Sequence, residues 1–158
     1  MTGSRRALAL GTLLLFCGAS HAVAAYEPQV NYMLQCMGCH APRGEGEPGR
    51  VPSLRETLGP FASTPEGRRF ILQVPGVAQS TLSDAELADL LNWMIRTLGT
   101  TPPAREVVPY TAAEVARYRH TPLVNVRAAR ERLIAQLSAR RGDSVPTHTR
   151  PPQRPAPD

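Results

Sequence analysis

Leu87, Leu90, Leu91, Met94, Ile95 and Leu98 recur at helical spacing with polar residues between them. Ser83-Asp84-Ala85-Glu86 stands ahead of the stripe as a capping box, and Gly99 follows it. The pattern predicts a helix from about 84 to 98 with Gly99 as its stop. Thr64-Pro65 reads as an N-cap with Pro at the first helical position and opens a helix to about Gln73. Gln29 to Gln35 reads as a short helix with Val30, Met33 and Leu34 on one side. Farther on, Thr111-Ala112-Ala113-Glu114 is a second capping box, opening a helix to about Arg119. Asn125 caps a last helix that ends at Gly142. Val126, Ala129, Leu133, Ile134 and Leu137 form its apolar face, and Arg127, Arg130, Arg132, Arg140 and Arg141 carry its charge. No run has convincing strand character, so the expected fold class is all-α.

The segments between these patterns are punctuated. Ala41 to Pro52 is a Gly- and Pro-rich loop, and Thr100-Thr101-Pro102-Pro103 marks a linker. From Ser144 onward Pro and polar residues dominate, which predicts a disordered tail over 143–158. At the other end Arg5 and Arg6 precede an apolar stretch, Ala7 to Phe16, too short to span a bilayer. Val23-Ala24-Ala25 supplies small residues for cleavage, so 1–25 reads as a signal peptide and the mature chain as starting at Tyr26. Cys17 does not make a good lipid anchor, because bulky Phe16 precedes it where a small residue is wanted. Cleavage would leave only two cysteines, Cys36 and Cys39.

Those two belong to Cys36-Met37-Gly38-Cys39-His40, a C-x-x-C-H attachment signature for c-type haem. Each thiol can form a thioether to a haem vinyl group, and the adjacent His40 is placed to ligate the iron from one face. A thioredoxin-like redox pair would need βαβ patterning that the chain lacks. A zinc knuckle would need a second ligand pair, and no Cys follows Cys39.

Charge is unevenly placed. The net charge is +5, with eighteen basic residues that are all Arg. From Tyr26 to Ala104 six Arg face eight acids; from Arg105 to Asp158 ten Arg face five acids. The motif-bearing part is mildly acidic and the C-terminal part basic. Few aromatics and no binding motif argue against nucleic acid as a partner. The two C-terminal helices are expected to pack back onto the motif-bearing part with a solvated basic face, or to present that face to an acidic redox partner or an anionic membrane.

Residues 26–99 resemble a small bacterial class I cytochrome c. Three features carry the resemblance in order: a helix into Cys36-Met37-Gly38-Cys39-His40, then Val51-Pro52-Ser53-Leu54, then a capped C-terminal helix with Trp93. It implies one covalent haem c in an all-α haem domain, taken as 26–104 up to the linker; beyond it the two capped helices read as a basic helical extension over 105–142. It implies that Pro52 offers its backbone carbonyl to the Nδ1–H of His40, which orients the ring. It implies that the first and last helices of the domain pack together. It also favours ordinary unfolded export over the twin-arginine route that Ser4-Arg5-Arg6 superficially suggests, since haem joins an unfolded chain. Leu54, Leu58, Phe61, Phe70, Ile71 and Val74 are candidate haem contacts or ordinary core residues.

The chain departs from the family at the sixth iron ligand. Where class I cytochromes carry Met-Pro, this sequence has Val74-Pro75-Gly76-Val77-Ala78-Gln79-Ser80. Met94, His120 and no protein ligand at all are the three accounts, and the third is favoured. Met33 and Met37 sit too close to the attachment motif, and His148 lies in the expected tail. The expected function is a periplasmic electron carrier serving redox partner proteins, with a dehydrogenase as donor, rather than an enzyme. The alternatives are a haem protein with an open distal site, peroxidase-like or gas-sensing, and a fixed cytochrome subunit of a larger dehydrogenase.

Overall fold

The computed structural model describes residues 25–100 and 106–142. The expected signal peptide up to residue 24, the expected linker beyond Thr100 with the 104/105 boundary after it, and the tail from 143 lie outside the described residues. Eight helices occur among those described: α1 Pro28–Gln35, α2 Met37–His40, α3 Leu54–Ala62, α4 Pro65–Gln73, α5 Pro75–Ala78, α6 Asp84–Thr97, α7 Ala112–Tyr118 and α8 Val126–Arg141. An isolated Glu47–Val51 bridge is the extent of β pairing among them, and the fold is all-α. No described helix is long and apolar enough to cross a membrane.

The centre is α6. Its capping box closes in both directions: Glu86 N donates to Ser83 Oγ at 3.3 Å, and Ser83 N donates to Glu86 Oε2 at 2.9 Å. The whole predicted stripe, Leu87 to Leu98, is buried. Gly99 does not take the left-handed conformation of a glycine stop. A Cβ there would sit 2.8 Å from the Ile95 carbonyl oxygen, so glycine is required by close approach instead.

Helix α1 packs against α6, but not by the face the periodicity predicted. Val30, Met33 and Leu34 are 36%, 51% and 63% exposed, whereas Asn31 and Tyr32 are buried. The Tyr32 ring lies 5.6 Å from the Trp93 ring, and its hydroxyl donates to the Ala41 carbonyl at 2.5 Å. One large aromatic with a satisfied hydroxyl outweighs three aliphatic side chains as an anchor for a helix of two turns.

Thr64 caps α4 as predicted, accepting from Gly67 N at 3.2 Å. Gly67 lets α4 approach α3, since a Cβ there would lie 2.1 Å from the Phe61 carbonyl oxygen. Helix α3 was hidden in the sequence by Gly59-Pro60, which reads as a break. Burial of Leu58, Phe61 and Ala62 overrides that local preference.

Helix α7 packs on α4 and α6, and α8 packs on α4. Val107, Tyr110, Val115, Leu133 and Leu137 join the same buried cluster as Leu58, Leu72 and Leu90. One core thus spans both described stretches. Asn92 imitates a backbone pair, donating to Tyr110 O at 3.0 Å and accepting from Tyr110 N at 2.7 Å. Asn125 caps α8 and Gly142 ends it at φ 74°, both as predicted. The second capping box is only half formed: Thr111 Oγ1 accepts from Glu114 N at 3.2 Å, but the Glu114 carboxylate is engaged by Arg68.

Candidate cofactor cleft

Helix α1 stops at Cys36, and one further turn, α2, carries Cys39 and His40. The i, i+3 and i, i+4 spacings place the three side chains on one side of that turn. All three line a single cleft of about 350 Å³, together with Pro52. Leu54, Leu58, Phe61, Phe70, Ile71 and Val74, the six apolar candidates, all line it as well. Helix α6 adds Leu87, Leu90, Leu91 and Met94.

His40 Nδ1 lies 3.2 Å from the Pro52 carbonyl oxygen. A carbonyl only accepts, so Nδ1 carries the proton and Nε2 keeps its lone pair. Burial holds His40 below the usual imidazole range, partly opposed by the Pro52 bond. Burial, with Cys39 nearby, pushes the Cys36 thiol up to about 11. Both groups are therefore neutral at pH 7.

The loop that brings Pro52 to His40 is closed by its own backbone. Gly46 N donates to His40 O at 3.0 Å, Leu54 N to Gly44 O at 2.8 Å, and Glu47 and Val51 exchange two bonds. Gly46 has φ 70°, and a Cβ there would lie 2.4 Å from Val51 O and 2.7 Å from Pro52 O. Gly46 is thus a positioning residue that the motif did not reveal; its signal was its place in the Gly- and Pro-rich loop.

The donor set fits haem better than a bare ion. Among the described residues no three His, Cys, Asp or Glu gather as a metal site. One imidazole and two thiols beside a large apolar hollow suit a flat macrocycle that brings its own ring nitrogens. An apolar hollow of this size left unfilled would be costly to the fold.

The sixth-ligand candidates separate in space. His120 is exposed and does not line the cleft. Met94 is buried and does line it, whereas Met33 is exposed and Met37 is not part of the lining. His148 lies outside the described residues. Val74, Gly76, Val77 and Ser80, from the Met-free segment 74–80, line one wall of the cleft.

Two lining residues come from α8, Val126 and Arg130. The Arg130 guanidinium carbon stands 6.0 Å over the Phe61 ring. The basic face of α8 is therefore not wholly solvated: Arg130 turns to the cleft and Arg140 pairs with Glu66 at 3.1 Å. No local signal links Arg130 to a motif ninety positions earlier.

No family model matches the chain, and no solved structure matches it. Two proteins named cytochrome c-552, both of Thermus thermophilus, are similar to it. One is 27% identical over 139 residues, covering 77% of this chain and 94% of that protein. The other is 28% identical over 116 residues, covering 62% of this chain and 88% of that protein. This likeness, together with the all-α fold, supports a c-type cytochrome.

Proposed function

We propose that the chain is an exported, monohaem cytochrome of the class I kind that passes single electrons between redox partners in the periplasm, with a dehydrogenase as donor. The observation that carries this reading is the convergence of Cys36, Cys39 and His40 on one apolar cleft, with Pro52 holding Nδ1 of His40. Haem bound there supplies a one-electron iron couple. Cys36 and Cys39 would hold it through their sulfurs, and His40 would present Nε2 to the iron. The Pro52 carbonyl fixes the imidazole plane and raises its basicity as a donor. The apolar walls from α3, α4 and α6 keep water out, which tunes the potential. Cys39 is exposed and marks a rim at which a partner can approach. In this reading residues 1–25 direct export, 26–104 carry the haem, and 105–142 complete the fold around it.

The segment 74–80 offers no sulfur, and the sixth position is assigned no protein ligand. Met94 is the competitor, because it is the methionine on the cleft lining among the described residues. Export with a c-type maturation system, followed by intact-mass analysis and potentiometric titration, tests the whole reading. One haem per chain, lost in the Cys36→Ser/Cys39→Ser double variant, and a one-electron titration are expected. A wild-type chain that matures without covalent haem would sink it. The ferric spectrum tests the sixth position: a far-red Met-to-iron band that disappears in Met94→Ala would replace the open site with Met94 ligation.

A further inference from the structure

Residues 74–83 form one wall of the cleft and join α4 to α6. The wall is thin. It has one turn of helix, α5, and a bond from Leu82 N to Ser80 Oγ at 3.3 Å. From the N-terminal side, Gln35 Nε2 reaches Thr81 Oγ1 at 3.4 Å.

Its two ends are held by the segment that joins α7 to α8. At the start, Leu123 N donates to the Gln73 carbonyl at 2.8 Å, and Gln73 Nε2 donates to Thr121 Oγ1 at 2.6 Å. At the far end stands Arg119, whose side chain is only 7% exposed. Its Nη1 donates to Leu82 O at 2.8 Å and to Asp84 Oδ1 at 3.0 Å, and its Nη2 donates to the Ser80 carbonyl. Arg119 Nε has no partner among the described residues. Burying a guanidinium is costly unless its donors meet acceptors. Here every acceptor found belongs to the wall or to the first residue of α6.

We propose that Arg119 is a positioning residue for the cleft: it latches the 74–83 wall shut and thereby limits how far water and small neutral ligands reach the iron. This rests on the haem reading above. Without Arg119, the carbonyls of Ser80 and Leu82 lose their partner and must turn to water to be satisfied. Val74 and Val77 then leave the lining for part of the time, as a local opening. Water entering the cleft favours the more highly charged ferric state, so the potential falls.

The test uses the full haem-loaded chain with Arg119→Gln, Arg119→Lys and Thr121→Val. Carbon monoxide association with the ferrous protein is expected to rise about tenfold in Arg119→Gln, in keeping with loss of a charged hydrogen-bond set. Its potential is expected to drop, and hydrogen exchange at the Val77 and Ala78 amides, both bonded to Val74 O, to speed up. Arg119→Lys keeps a cation beside Asp84 and restores part of each effect. Thr121→Val shifts all three readouts in the same direction by less. A folded Arg119→Gln protein with unchanged association rate, potential and exchange overturns the latch. Should that variant fail to fold, a Thr121→Val protein with all three readouts unchanged overturns it equally. Hydrogen exchange reports on the wall itself, whereas the potential and the carbon monoxide rate report on the iron, so failure of the haem reading stays distinguishable from failure of the latch.

Discussion

The carboxylate of Glu114 grips Arg68 instead of turning back to cap its own helix. Arg68 Nε and Nη2 lie 2.7 and 2.6 Å from its two oxygens. The same guanidinium donates to Val108 O at 2.6 Å and Ala62 O at 3.2 Å, and it stands 3.9 Å over the Tyr110 ring. Arg68, on α4, is therefore a fastening point for residues 106–118, beside Asn92 on α6. Both partners are largely shielded, with side chains 13% and 24% exposed.

Glu114→Ala should destabilise the protein by about 2–3 kcal/mol, since it strands a shielded cation, whereas an exposed pair would be worth under about 1 kcal/mol. Chemical denaturation of the single variants and of the Arg68→Ala/Glu114→Ala double variant would measure the coupling. A loss for Glu114→Ala within the exposed-pair range would contradict this placement.

Gly46→Ala should disturb the site more than its half-buried loop position suggests. The added Cβ meets the carbonyl oxygens of Val51 and Pro52, and φ at Gly46 is 70°. Strain of roughly 1–3 kcal/mol must be relieved by moving the loop, and with it the acceptor of His40 Nδ1. The expected outcome is a lower melting temperature together with a shifted reduction potential. Gly49→Ala is the control: it has φ 78° but open space around its Cβ, so it should affect stability and leave the potential alone.

Tyr32 separates two contributions. Tyr32→Phe keeps the ring on Trp93 but leaves the Ala41 carbonyl without its donor, at a cost of about 1 kcal/mol. Tyr32→Ala also empties the α1–α6 contact and should cost about 3–5 kcal/mol. Equal losses in the two variants, read by urea denaturation, would mean that the ring contributes nothing.

Ser83→Ala removes the α6 cap and should cost about 1 kcal/mol near neutral pH. Hydrogen bonds from the Ser83 hydroxyl and backbone hold the Glu86 carboxyl below the usual range. A lowered folded pKa contributes stability above the unfolded pKa and loses it as pH falls through the folded one. The gap between wild type and Ser83→Ala should therefore narrow as pH drops through the carboxylate range. A gap constant from pH 7 to the acid limit would remove Glu86 from the cap.

Much of the fold was legible because its signals act within four residues. Thr64, Ser83 and Asn125 cap where their spacing said they would, and the stripe of α6 is buried throughout. Helix α1 was read with the wrong face, because eight residues give too little periodicity to outweigh one tyrosine. Helix α3 was missed because Gly59-Pro60 imitates a break. Glu114 was assigned to a local cap, and a cation 46 positions away claimed it.

By itself, the sequence determined the all-α class, most helix starts, the spacing of Cys36, Cys39 and His40, and the apolar residues available to surround them. These are properties of neighbours along the chain, set by backbone periodicity and by the reach of short side chains. Only the tertiary structure decided which Gly lets Pro52 reach His40, that Arg130 enters the cleft, that His120 stays outside it, and that Arg119 closes its wall. Those relations join positions far apart, and nothing local favours one over another. They go to whichever side chain satisfies the most buried acceptors or fills the most apolar surface once the helices have packed.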